Sequence, residues 1–309
     1  MEWWQILLIV VGAVVLGGII AYTCFVVFIS RYMAITMCEP KHFKTREEKE
    51  MELSHCGHCD GFNEYTRTPI QFTMPDGYII HGDYSLNNPK KFVILCHGHR
   101  SNRYGSPKYA YAFYRLGYSV LFYDHRSHGD NERGIITLSY QEHLDLIEIA
   151  KQVREKFGED VELGLFGCSM GGATALMCVN KIHNLSFIVS DCAFASSEDL
   201  VRCFVMRHHA SPLSILPLTG HFIKKYYNFS YKDSSPYLEL RKNKEVPILF
   251  IHGDKDPLVY PFNVYKLYNN DNGPKRLEIF EGANHCGSIS LDKERYYRVI
   301  EEFIKEEGK

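Results

Sequence analysis

Hydrophobic positions fall into two regimes along this chain. From Trp3 to Ile29 there is no charged residue, and Ile, Val, Leu and Phe dominate. A helix rising about 1.5 Å per residue over such a run is long enough to cross a bilayer. Trp3, Trp4 and Tyr32 resemble interfacial anchors, and Gly12, Gly17 and Gly18 are tolerable in a membrane helix. Lys41 to Asn63 is charged and aperiodic, which reads as a linker. From Thr66 onward, apolar runs of strand length alternate with stretches at helical spacing.

The first of these runs predict a hairpin, with Pro69–Phe72 and Ile79–Gly82 flanking a Pro75-Asp76-Gly77 turn. Further strands are expected at Phe92–Cys96, Ser119–Tyr123, Val161–Phe166, Phe187–Ser190, Val246–Ile251 and Arg276–Phe280. Between them, Ser139-Tyr140-Gln141-Glu142 reads as a capping box opening a helix whose Leu144, Ile147 and Ala150 share a face. The last helix is expected over about Asp292 to Lys305, with Tyr296, Val299, Ile300 and Phe303 apolar. Such alternation predicts an α/β fold, a mostly parallel sheet covered by helices on both faces. It stops between Ala195 and Lys244, where apolar and aromatic residues are interspersed with Arg202, Arg207, Lys224 and Lys225. The expected organisation is an anchor at 1–32, a linker at 33–65 and an α/β domain at 66–309 with an insertion at about 195–245.

The chemistry centres on Gly167-Cys168-Ser169-Met170-Gly171, a G-x-S-x-G pattern between a predicted strand and a predicted helix. At so sharp a turn the serine is held exposed and strained, and side chains two positions either side would collide. A serine in this setting needs a histidine base and a carboxylate to orient it, in the chain order Ser, acid, His. His285 follows the strand at Arg276 within Gly282-Ala283-Asn284-His285, and is the base. Three aspartates compete for the third role. Asp256, before Pro257, is placed to reach back toward the histidine loop and is preferred. Asp254 reads as a turn residue, and Asp191 ends an earlier strand at a position some hydrolases use. Two backbone N–H groups are expected to bind a developing oxyanion: Met170, at the helix start, and His99, in the His97-Gly98-His99 loop after a strand.

These motifs, together with Asp124-His125-Arg126-Ser127-His128-Gly129, Ser235-Pro236-Tyr237 and His252-Gly253-Asp254-Lys255-Asp256-Pro257, resemble those of the α/β-hydrolase superfamily. The similarity is to Bem46-like and bacterial membrane-anchored serine hydrolases, and it runs from about Thr66 onward. It implies the α/β-hydrolase fold, with the insertion as a helical lid over Ser169. Ser127 stands where the family has glycine, and Asp124 and His128 read as loop braces.

A net charge of −2 over 309 residues gives no electrostatic case for nucleic-acid binding. A cleaved signal peptide would carry a positive N-terminal region and a shorter apolar core, so the span reads as a retained single-pass anchor in the cell membrane. Lys and Arg follow the span and none precedes it, which places the catalytic domain on the cytoplasmic side. Cys96, Cys168, Cys178 and Cys192 fall in core elements with no evident pairing, as buried thiols in a reducing compartment do. His55-Cys56-Gly57-His58-Cys59 has metal-like spacing, but no second pair matches it, so it reads as a linker cluster. The expectation is a cofactor-free and metal-free serine hydrolase acting on a small-molecule or lipid-like acyl ester or thioester. A serine peptidase and a catalytically silent module on the same fold are the alternatives. The pattern says nothing of oligomeric state.

Overall fold

The apolar run folds as one helix, α1 (Trp3–Cys38), longer than the span alone. The structure is a computed structural model and describes residues 1–48, 50–51 and 66–308; the His55–Cys59 cluster lies outside the described residues. Up to Phe25 the helix surface is almost wholly exposed, and an apolar window within it has a mean hydropathy of 2.6, enough to cross a membrane. Beyond Phe25 a stripe at helical spacing, Val26, Ser30, Met33, Ala34 and Cys38, is buried. The helix thus continues past residue 32 into the expected linker, because Met33, Ala34 and Cys38 have a surface to pack on.

From Thr68 on, the chain is built on an eight-stranded sheet in the order β1-β2-β4-β3-β5-β6-β7-β8. The hairpin β1 (Thr68–Thr73) and β2 (Ile79–Ser85) is antiparallel and joins β4 (Ser119–Tyr123) antiparallel. Parallel pairing then links β3 (Lys91–Cys96), β5 (Glu162–Cys168), β6 (Leu185–Asp191), β7 (Ile248–Gly253) and β8 (Lys275–Phe280). The parallel strands read as continuous apolar runs because helices cover both faces. Helices α2 (Pro107–Arg115) and the last helix lie over one face, where Phe113, Phe166, Phe187, Tyr296 and Phe303 pack. Helices α3 (Tyr140–Phe157) and α4 (Met170–Met177) lie over the other.

On α3 the buried face differs from expectation. Leu146, Ile149, Ala150 and Val153 are buried, whereas Leu144 is 42% exposed. Glu142 and Asp145 turn inward instead: Glu142 accepts from Thr137 and Ser139, and Asp145 pairs with Arg126. Polar residues satisfied by such bonds shift the buried face by a residue or two.

The insertion forms α5 (Ser197–Arg207), α6 (Pro212–Tyr227) and the short α7 (Pro236–Leu240). The buried stripe of α1 packs on this lid. Val26 and Met33 meet Val201, Val205, Ile215 and Leu216, and Ala34 and Cys38 meet Ile223, Tyr227 and Phe229. Helices α8 (Phe262–Asn270), α9 (Ser288–Leu291) and α10 (Lys293–Glu307) complete the chain, with Asp292 accepting from the Arg295 N–H at the start of α10.

Candidate active site

The elbow between β5 and α4 follows from sterics. A Cβ on Gly167 would lie 2.2 Å from the Gly171 carbonyl oxygen, and one on Gly171 would lie 2.1 Å from that of Cys96. Only glycine lets the strand, the turn and the neighbouring strand approach so closely. Ser169 sits at φ 56°, ψ −117°, outside the regions side-chain-bearing residues ordinarily adopt.

Register brings the partners to the serine. Strands β5 to β8 are parallel, so their C-terminal ends lie along one edge, where open α/β sheets build their sites. Ser169 Oγ donates to His285 Nε2 at 2.9 Å, and His285 Nδ1 donates to Asp256 Oδ2 at 2.7 Å. The other Asp256 oxygen accepts from the Leu258 and Val259 N–H groups at 2.8 and 2.9 Å, which fixes the carboxylate. The two remaining aspartates are occupied elsewhere. Asp254 accepts from the Gly282 N–H, and Asp191 Oδ2 accepts from the Tyr296 hydroxyl at 2.9 Å. Burial raises the Asp191 carboxyl to about 7.

Burial opposes the charged form of His285. The neighbouring Cys286 sulfur and the Asp256 carboxylate outweigh it and hold the ring well above the ordinary histidine value. This is the stabilisation an imidazolium requires after taking a proton from a serine.

The loop after β3 passes against the elbow: a Cβ on Gly98 would sit 3.5 Å from Ser169 Cβ. Among the described residues no hydrogen-bond acceptor takes the N–H of His99 or of Met170. The His99 ring bonds not the serine but α1: its Nε2 donates to the Met37 carbonyl at 3.0 Å. Burial keeps it neutral, with a pKa of about 4.

Two features here have no local signal in the chain. The first is Arg103, whose nearly buried guanidinium meets Asp124, Asp83 and Asp130 and so fixes the loop carrying His99. His128 completes the brace, accepting from the Arg100 N–H at 3.0 Å. The second is the end of α1. Thr36 and Met37 line the same pocket as Ser169 and His285, a cavity of about 740 Å³. Its apolar wall includes Leu138, Phe194, Leu200, Phe204 and Val259. Phe204, from the lid, faces the pocket, whereas Phe222 stacks on Tyr226 and belongs to the packing between the lid and α1.

This sheet, elbow and edge make up the α/β-hydrolase fold. The family described as "Serine aminopeptidase, S33" matches residues 87–228. Among relatives, the YqkD protein of Bacillus subtilis is 28% identical over 267 residues, covering 84% of this chain and 87% of its own. The membrane protein YNL320W of Saccharomyces cerevisiae is 28% identical over 199 residues, covering 63% and 64%. Protein bem46 of Schizosaccharomyces pombe is 25% identical over 144 residues, covering 46% and 43%. Among solved structures, the Pyrococcus furiosus esterase Pf2001 superposes with a TM-score of 0.66 at 21% identity, over 80% of this chain and 93% of its own. The acylaminoacyl peptidase of Pyrococcus horikoshii superposes at 0.61 and 17% identity, over 79% of this chain and 42% of its own. These two likenesses are of fold.

Proposed function

We propose that this protein is a membrane-anchored serine hydrolase that cleaves carboxylic esters or thioesters. The observation that carries the proposal is the Ser169–His285–Asp256 relay, with bonds of 2.9 and 2.7 Å, opening into an apolar pocket. Ser169 Oγ attacks the acyl carbon while His285 Nε2 takes its proton. Asp256 holds the productive tautomer and stabilises the imidazolium. The unengaged N–H groups of His99 and Met170 receive the oxyanion, Met170 at the positive end of α4. His285 then protonates the leaving group, and water takes the reverse path through the acyl-enzyme. Each step uses side chains and backbone groups of this chain.

The anchor is α1 up to about Phe25, and its flanking charges support a cytoplasmic catalytic domain. The acyl group of a lipid-like ester is the substrate portion that the apolar wall suits.

A peptidase reading is favoured by one finding, the match to the serine aminopeptidase family over residues 87–228. The experiment that decides combines two measurements on the full chain. Fluorophosphonate labelling is expected for the unmodified protein and lost in Ser169→Ala with the fold intact. Turnover of p-nitrophenyl esters is expected to exceed that of aminoacyl-anilides. Labelling that persists in Ser169→Ala assigns the nucleophile elsewhere, a preference for anilides favours the peptidase, and absence of both activities favours a silent module.

A further inference from the structure

Three cysteines far apart in the chain converge beside the relay. Cys168 ends β5, Cys192 follows β6, and Cys286 follows His285 in the loop after β8. Their sulfurs lie 3.1 Å (168–286), 3.5 Å (192–286) and 3.7 Å (168–192) apart. This differs from the expectation of isolated core thiols. Parallel register sets Cys168 beside Asp191, so the next residue, Cys192, lands against it, and the histidine loop delivers the third sulfur.

All three are free thiols, and 3.1 Å is well beyond the roughly 2.05 Å of a disulfide. Three thiolates around a tetrahedral Zn²⁺ at about 2.3 Å stand about 3.8 Å from one another. The observed triangle reaches that size with shifts of a few tenths of an ångström per sulfur. Cys168 and Cys286 line the active-site pocket, so an ion can enter from the substrate side.

The surroundings are those of a cation site. Asp191 is fully buried, and among the described residues its Oδ1 has no hydrogen-bond partner. Its charge bears directly on Cys168 and Cys286. Cys192 also brings its sulfur within 4.8 Å of ligand atoms of Asp256 and His285. Buried sulfurs serving only as small hydrophobes would leave that carboxylate oxygen unexplained. The Cys168 and Cys192 thiols, with the His285 ring, hold the Cys286 thiol well below its ordinary range despite burial.

We infer that Cys168, Cys192 and Cys286 form a site for a thiophilic d¹⁰ cation of the Zn²⁺ class, and that its occupation reversibly switches the adjacent serine chemistry off. Binding breaks three S–H bonds, forms three metal–sulfur bonds and releases three protons to water, with no change of oxidation state. The fourth position opens to the pocket. A cation there sets positive charge beside the His285 ring, which must itself become positive to carry the Ser169 proton. The binding site is independent of the proposed activity; only the switching rests on it.

The test uses full-length protein in detergent, reduced and then freed of reductant, carrying Cys56→Ser and Cys59→Ser to remove competing thiols. Titration with Cd²⁺ is expected to give a thiolate-to-metal charge-transfer band saturating at about one ion per chain. Ester hydrolysis should fall with the same curve, and excess EDTA should reverse both. Cys192→Ala should weaken Cd²⁺ binding by more than about tenfold, the least that losing even an outer partner costs. In the parent protein Cd²⁺ should also shield Cys286 from alkylation, a readout that needs no Cys192 variant. No band, or a band unchanged in Cys192→Ala with Cys286 still alkylated, overturns the site. A band without inhibition overturns the switch. A band from a protein that hydrolyses no ester leaves the site standing and removes the proposed activity.

Discussion

His99 donates its Nε2–H to the carbonyl oxygen of Met37 at 3.0 Å, a bond between the last turn of α1 and the loop that faces Ser169. Nearby, the Arg100 guanidinium donates to the Thr36 carbonyl, and the Ile136 N–H to that of Cys38. The end of the apolar helix is therefore a wall of the pocket as well as a support for the lid.

Deleting residues 1–40 should do more than detach the protein from membranes. It removes Met37 from the pocket and exposes Val201, Ile215 and Ile223 on the lid. We expect kcat/KM for soluble esters to fall on the order of 10²-fold, the effect of displacing a catalytic group by about 1 Å, with a lower Tm. A deletion variant matching the full chain in both would show that α1 acts only as an anchor.

The carboxylates should separate sharply. Asp256→Asn is expected to lower ester turnover by about 10⁴-fold, as a wrong histidine tautomer does. Asp191→Asn keeps an acceptor for the Tyr296 hydroxyl and should leave turnover within about tenfold of the parent. Steady-state rates on one ester decide the assignment, and the reverse ranking would move it to Asp191.

The pH dependence follows from the raised pKa of His285. Because the base must be neutral to accept the Ser169 proton, activity should rise with pH through a value above the roughly 6.5 of an ordinary histidine. Cys286→Ala removes one of the influences that raise it, so the acidic limb should move to lower pH. An unmoved limb in the kcat/KM profile of metal-free protein would show that Asp256 alone sets it.

Acyl-chain preference should depend on Phe204. The unmodified enzyme is expected to favour medium-chain over acetyl esters, and Phe204→Ala should narrow the ratio of octanoyl to acetyl kcat/KM. Phe222→Ala, in the packing between lid and α1, should lower Tm and leave the ratio alone. Equal kcat/KM for acetyl and octanoyl esters in the unmodified protein would remove the basis for an acyl pocket.

What could be read from the chain was local. The elbow glycines, the apolar strands and the order Ser169, Asp256, His285 each signal within a few residues, and the fold carries them to one edge of the sheet. What could not be read depends on distant pairings. Nothing near Arg103 announces that Asp83, Asp124 and Asp130 will surround it, and nothing near Met37 announces His99. Cys168 and Cys286 are separated by 118 positions and meet only because β5 and the histidine loop end at the same edge. The face of α3 differs from the pattern partly for the same reason: Asp145 is inward because its partner Arg126 lies 19 positions upstream, whereas Glu142 is held inward locally by Thr137 and Ser139.

The continuity of α1 sets a height. No break separates its exposed apolar part from the part seated on the lid, so the domain rides on a stiff mast. From Val26, where the buried stripe begins, to Met37 at the pocket wall is eleven residues of helix, about 17 Å along its axis at 1.5 Å per residue. Under the proposed anchoring, that length of helix, with the Tyr22 hydroxyl bonded to Ser214 of the lid, sets how far the pocket stands from the bilayer's hydrocarbon. On that proposal an ester carried in the same membrane would have to rise to meet it, and the distance between acyl bond and headgroup would become a selection rule written in helix turns.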